Sequence, residues 1–344
     1  MTAIVRLSEE RDIDGLFELA KNAGTGMTTV PNSREAIEAR VTASIKAQAS
    51  EERAGPKDVF FFVLEMDGEV VGMASIFPAL GEDRPFYSYR MSKVAAAAPE
   101  LGIQASSDLL YLCNDYHGYA EIGTLLVSDK ARGTGAGRLL SLSRFLFMKA
   151  IEDRISENVM AEIRGRFDDS GKSPFWDAIA AKFFDMTFEE ADRRSAHDFR
   201  FIADLMPKFP IYTNLLSEEA QEVLGKPHKD SAPAMNMLMA EGFTFQNCID
   251  IFDAGPSLEA PLNLIRTVRE AERAVVRVLD NIPTQGERRC IVAVPDAKRF
   301  RAILMERGPS DGSMFLTPQE ADMLQVSSSD KVVCSPLKTR KGSR

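Results

Sequence analysis

With 344 residues, 44% hydrophobic and 27% charged, the chain is long enough for one large domain or two ordinary ones and is neither disordered nor fibrous in composition. A formal net charge of −9 argues against non-specific nucleic-acid binding, since a polyanion is repelled overall, and no uninterrupted apolar stretch is long enough to cross a bilayer. The N-terminus lacks the apolar core of a secretory signal, which makes the cytoplasm the expected compartment.

Residues 4–7 read as a short apolar strand, and Asp12-Ile13-Asp14 opens a helix carrying Leu16, Phe17 and Leu19 at helical spacing. A Gly/Thr-rich turn over 24–29 leads to Ser33, which can cap a second helix running to about residue 48. Runs at 59–64 and 70–76 flank Asp67-Gly68, the clearest hairpin signal in the chain. Strand-like runs follow at 85–90, 109–113 and 120–127, then a helix from near Gly135 and a strand at 159–163. The pattern predicts an α/β domain with a mixed sheet and most helices on its faces.

Helical segments at 173–184, 189–192, 218–224 and 234–241 and a strand at 243–252 continue it. Gly255-Pro256-Ser257 and Ala260-Pro261 mark a boundary, so 1–260 are expected as one domain and 261–344 as another. The second is β-rich, with runs at 274–279, 290–294, 300–304 and 331–334, and suits a small β-barrel-like domain. Its basic tail, Lys338, Arg340, Lys341 and Arg344, reads as a solvated terminus. Cys113, Cys248, Cys290 and Cys334 are far apart in sequence, without a CxxC pair or a Cys/His cluster. They read as ordinary reduced thiols, with neither a metal site nor a disulfide framework.

The chemistry concentrates where the run 124–127 passes through a turn into Arg132-Gly133-Thr134-Gly135-Ala136-Gly137-Arg138 and then a helix bearing Leu139, Leu142, Phe145 and Leu146. The first N–H groups of a helix lack partners and carry partial positive charge, and glycines let an anion approach them. Residues 128–144 carry four basic side chains and one acidic, a local reversal in an acidic chain that favours a polyanionic ligand. The loop is not a Walker A motif, because no Gly-Lys-Ser/Thr follows, and not the Rossmann GxGxxG. The competing reading is a tight glycine turn with accidental basic neighbours.

Arg-x-x-Gly-x-Gly after a strand resembles the pyrophosphate loop of the GNAT superfamily, which implies a coenzyme A site at Arg132, Gly133, Gly135, Gly137 and Arg138. It also implies that Leu125, Leu126 and Val127 form the edge along which the pantetheine arm binds. Longer strings narrow the resemblance: Pro85-Phe86-Tyr87-Ser88-Tyr89-Arg90, Leu110-Tyr111-Leu112-Cys113-Asn114-Asp115-Tyr116, Ser173-Pro174-Phe175-Trp176 and Asp250-Ile251-Phe252-Asp253-Ala254-Gly255-Pro256 among them. In this order they closely resemble the arginine (and arginine/ornithine) N-succinyltransferases, to about Ala260 and more loosely beyond.

That resemblance implies succinyl transfer from succinyl-CoA, a cosubstrate and not a permanently bound cofactor, to the α-amino group of L-arginine. It implies His228 as the proton-transferring residue, on the string His228-Lys229-Asp230-Ser231-Ala232-Pro233-Ala234. Read alone, His228 is a solvated loop residue. His117 is kept as a structural or substrate-contact residue, and His197 lies where the family usually has a Gly- and Lys-bearing segment. Lys130, Arg138 and Arg144 read as phosphate or solvent contacts, and Phe175 and Trp176 as packing. Asp115 or Glu121 would suit a guanidinium, and Arg90 or Lys93 a succinyl carboxylate, without a choice among them. Three readings stay open: this enzyme, an acyltransferase for another amine (ornithine) or acyl-CoA, and a weakly active partner subunit. The family implies a homo- or hetero-oligomer with small-molecule substrates, and neither nucleic acid nor membrane.

Overall fold

Asp67 and Gly68 both adopt left-handed backbone, φ 50° and 86°, as a two-residue type I′ turn requires. They join β2 (Phe60–Met66) to β3 (Glu69–Phe77), the centre of the fold. β2 is buried at all positions but Glu65, the mark of a strand covered on both faces. Phe61 and Val63 meet Leu16, Leu19, Ile37 and Val41 of α1 (Ile13–Ala20) and α2 (Arg34–Ala49). Phe60 and Phe62 meet Phe147 of α3 (Ala136–Ala150), with ring centroids 4.9 and 5.1 Å apart. Ser33 caps α2 as expected, its Oγ accepting the Ala36 N–H at 3.1 Å.

The computed structural model describes residues 2–23, 27, 29–168, 171–195, 204–282 and 288–337. His197, the basic tail and most of the 24–29 turn lie outside them. The other strands are β1 (Ala3–Leu7), β4 (Ser88–Ala98), β5 (Ile103–Cys113), β6 (Ala120–Val127), β7 (Asn158–Glu162), β8 (Ile211–Tyr212), β9 (Thr244–Asp250) and β10 (Pro256–Pro261). β11 (Glu272–Val278), β12 (Cys290–Ala293), β13 (Arg301–Met305), β14 (Ser313–Leu316) and β15 (Lys331–Pro336) complete the set. They form one mixed sheet in the order β14-β11-β15-β12-β13-β1-β2-β3-β6-β7-β10-β9-β4-β5-β8. No described helix is long and apolar enough to cross a membrane.

The expected α/β architecture is present, with three differences in detail. β4 and β5 run far beyond the expected runs, through the alanine stretch 95–98, largely exposed, whose composition carries no strand signal. Residues 256–261, read as a break, are β10, inserted between β7 and β9. The C-terminal part is a sheet domain as expected, but its strands continue the central row through β13 and β1. Its Thr317-Pro318 segment starts a helix, Pro318–Leu324, through a reciprocal Thr317–Glu320 capping box.

Candidate active site

β6 and β7 run parallel and pair at only two positions, Ala120 with Val159 and Glu121 with Met160. Beyond Glu121 the β6 backbone pairs with β3 alone, so its other edge, from Ile122 through Leu125, Leu126 and Val127, is free of β7. A bulge at Thr124, φ 57° and 2% exposed, interrupts the β3 register. The bulge reverses which way the side chains point. Leu126 joins the core under α1 and α2, whereas Leu125 and Val127 lie against the α3 side.

A strained left-handed threonine persists only when its surroundings hold it. Thr124 donates its N–H to Thr29 Oγ1 at 2.9 Å and its hydroxyl to the Thr29 carbonyl at 3.0 Å. Arg144, on α3, donates Nη1 to the carbonyls of Ser75 and Gly123 at 3.3 and 3.2 Å, the pair that borders the bulge. It is 2% exposed, and burial pushes its guanidinium down to about 9. The expectation of a phosphate or solvent contact is therefore corrected for Arg144, which braces the bulge from inside.

From Val127 the chain enters the glycine loop. Gly133 and Gly135 have φ 77° and 91°, the left-handed region where a side chain is disfavoured. The N–H groups of Gly133, Thr134, Gly135 and Gly137 make no hydrogen bond to a described residue. No acidic side chain stands in the first turn of α3. These donors and the helix dipole suit an anion. Gly137 lies against Val127, where an added Cβ would sit 3.6 Å from its methyl. Arg132 pairs with Asp129 at 3.0 Å and Lys130 with Glu69 at 2.7 Å, both exposed. Beside the loop, a cleft of about 500 Å³ runs from Thr134, Ala136 and Leu139 to Arg289 and Leu304 of the C-terminal part.

The start of the divide is acidic. Glu121 is 6% exposed, and burial pushes its carboxyl up to about 7 against the opposing pull of Arg40 and Arg84. Its Oε1 fills the space where a Cβ on Gly123 would come within 3.2 Å. Arg40, pushed down to about 10 by burial, lies over the rings of Phe61 and Phe77. On β7, Glu162 is held well above the usual carboxylate range by burial and by Asp250, Glu121 and Asp253, and its Oε1 has no partner among the described residues. Asp250 and Asp253 are raised too, chiefly by burial. These two also build the chain: Asp250 Oδ1 accepts the N–H groups of Phe252 and Asp253, each at 2.7 Å, and Asp253 accepts those of Gly165 and Gly255.

His228 lies about ninety residues beyond the glycine loop, yet it is anchored to the chain leaving β7. Its N–H donates to the Arg164 carbonyl at 2.8 Å, and Gly165 bridges Pro227. Its side chain is 14% exposed, with Nδ1 accepting the Asp230 N–H at 3.2 Å and the Phe167 ring edge-on at 6.5 Å. Burial, then the Arg164 charge, lowers its pKa below the ordinary histidine value. His117 is exposed and contacts the Gly81 carbonyl through Nδ1 at 3.2 Å, a turn contact. Arg90 and Asp115, considered for opposite substrate groups, pair with each other at 2.5 Å, and Lys93 pairs with Asp108 at 3.0 Å. Phe175 and Trp176 are core residues.

A family model described as arginine N-succinyltransferase beta subunit matches residues 3–267, and one described as the C-terminal domain of that subunit matches 272–336. The chain belongs to the arginine N-succinyltransferase family. The arginine N-succinyltransferase of Citrobacter koseri is 37% identical over 343 residues, covering 98% of this chain and 99% of that protein. Its counterpart in Escherichia fergusonii is 38% identical over 344 residues at the same coverage. The arginine/ornithine succinyltransferase subunit AI from Pseudomonas aeruginosa is similar in structure, with a TM-score of 0.88 and 29% identity over 98% of this chain and 99% of that one. Within this succinyltransferase chain, residue spacing marked the glycine loop and set Arg144 among its basic neighbours, but did not mark Glu162 or Arg40. Glu162 had no motif around it; only the folded sheet sets it beside Glu121.

Proposed function

We infer that this chain is an arginine N-succinyltransferase, moving the succinyl group of succinyl-CoA to the α-amino group of L-arginine. The observation that carries the reading is the pairing of a donor-rich glycine loop with the divided β6/β7 strands, in a chain matched over nearly its whole length by the family. The free N–H groups of Gly133, Thr134, Gly135 and Gly137, with Arg132 and Arg138 alongside, fit the pyrophosphate of a coenzyme A ester. The unpaired β6 edge at Leu125, Leu126 and Val127 offers backbone groups to the pantetheine amides. The raised carboxyls at the divide suit a cationic substrate.

The α-amine of arginine arrives mostly as an ammonium and must lose a proton before its nitrogen attacks the thioester carbonyl carbon. In the proposal His228, lowered and so neutral near pH 7, accepts that proton. The C–N bond forms, the nitrogen gives up a second proton to solvent, the C–S bond breaks, and the CoA sulfur leaves with the proton held by His228, giving the neutral amide and the free thiol. A second reading has Glu121 as the base, favoured by its burial and its value of about 7. Residues 1–260 would perform the transfer, with 261–344 supporting the loop, in a cytoplasmic oligomer of like or paired chains. Ornithine or another acyl-CoA would use the same geometry. Assaying the purified chain with succinyl-CoA and either amine separates these outcomes: arginine-dependent thiol release supports the reading, and release with ornithine alone overturns its substrate.

A further inference from the structure

We propose that Cys113, Cys248 and Asp115 form a binding site for a thiophilic divalent metal ion of the zinc class, beside the divided strands. Cys113 ends β5 and Cys248 lies in β9, and β4 runs between them. Cys113 stands opposite Ser88 and Cys248 opposite Arg90. Opposed residues share a face, as do residues two apart on a strand, so both thiols project from the same side of the sheet. There the two sulfurs and a carboxylate oxygen of Asp115 all lie within 4.8 Å of one another.

The thiols are free, and the sheet keeps them from becoming a disulfide. Two strand spacings separate the backbones by roughly 9–10 Å, beyond the ~7 Å that a disulfide spans. A tetrahedral ion at about 2.3 Å from each sulfur asks instead for sulfurs about 3.8 Å apart, which small side-chain rotations supply. Two sulfur ligands and one carboxylate are a set that zinc-class ions take, with water in the fourth position.

The surroundings supply an entry and an outer partner. Asp115 is exposed and Cys113 half-buried, whereas Cys248 forms the floor. Tyr116, 1% exposed, packs with Cys248 and Met160, and its hydroxyl has no hydrogen-bond partner among the described residues. A buried hydroxyl beside a sulfur is placed to donate to a metal-bound thiolate. Arg90 Nε holds Asp115 Oδ2 at 2.5 Å, so an incoming ion exchanges with the guanidinium for the carboxylate. Since Met160 is the β7 partner of Glu121, an ion here ties β5 to β9 next to the transfer site.

The test uses the full-length reduced protein and Cd²⁺ as probe, by calorimetry and by thiolate-to-metal absorption, and needs no catalytic assay. The expected result is one ion per chain with the thiolate band, loss of the band in Cys113→Ser/Cys248→Ser, and protection of two thiols from a thiol reagent. Asp115→Asn, at an exposed position that should not disturb folding, should weaken binding at least about tenfold, since even outer partners are worth 10–100-fold. Cys290→Ser should bind as the parent does. A parent protein that takes up no Cd²⁺, a band that survives in the double variant, or unchanged affinity in Asp115→Asn overturns the site.

Discussion

Glu121 on β6 and Met160 on β7 are the last paired residues of two parallel strands that then separate. Paired positions share a face, so Glu162, two residues after Met160, projects on the same side as Glu121. Two carboxyls thereby lie together where the strands part, and the Glu121 charge, with those of Asp250 and Asp253, disfavours the charge on Glu162. Arg40 and Arg84 act on Glu121 but no such charge of a described residue acts on Glu162, and in the proposal the cation of arginine meets this second carboxyl.

The Glu121 carboxyl rises from 4.5 to about 7 on folding. Between those values the folded state holds more protons than the unfolded one, so stability falls as pH rises through that window. Glu121→Gln removes this loss and should make the protein more stable at about pH 8 by up to ~3 kcal/mol, with the gain vanishing near pH 4. Urea unfolding at both pH values measures it. A gain independent of pH would show that the carboxyl is not raised.

Gly135 sits at φ 91° at the N-cap of α3. Gly135→Val forces a branched side chain into left-handed backbone, costing about 1–2 kcal/mol, and places carbon in the path to the loop donors. CoA affinity by calorimetry should fall at least about tenfold while the protein stays folded. Unchanged affinity would remove the pyrophosphate from this loop.

Glu241 and Arg266 are 2% and 3% exposed and paired at 2.5 Å, with Thr267 donating both its N–H and its hydroxyl to Glu241. The pair ties the helix Ala232–Glu241, which follows the His228 segment, to residues 266–267. Glu241→Ala leaves a buried guanidinium with less compensation and should cost about 3 kcal/mol, measured by chemical denaturation. A change under about 0.5 kcal/mol would mean that Glu270 and the Pro336 carbonyl suffice for Arg266.

His228→Ala should lower kcat by roughly 10²–10⁴ with succinyl-CoA affinity nearly intact. His228 is lowered below its ordinary value, so the parent's activity should fall on the acid side below about pH 6.5, as the imidazole takes up its proton. The variant should lose that limb. If the limb persists in His228→Ala and disappears in Glu121→Gln, the base is Glu121.

The sequence carried what is local. Asp67-Gly68 named its own turn, Ser33 its cap, and residues 132–137 the glycine loop that opens α3, because each depends on a few neighbouring residues. It did not carry β10, whose flanking prolines look like a break until β7 and β9 close on it. Nor did it reveal that Cys113 meets Cys248 across β4, or that Arg144 is buried under the bulge, since both arise from strand order. His228 came from resemblance alone. Its attachment to Arg164 could be seen only once the chain was folded.

The central claim is succinyl transfer to arginine by this chain, and a thiol-release assay with mass analysis of the product tests it most directly. With succinyl-CoA and L-arginine, the purified protein should release one CoA thiol for each N-succinylarginine formed, and none without arginine. A folded protein that binds CoA yet releases no arginine-dependent thiol would contradict the account.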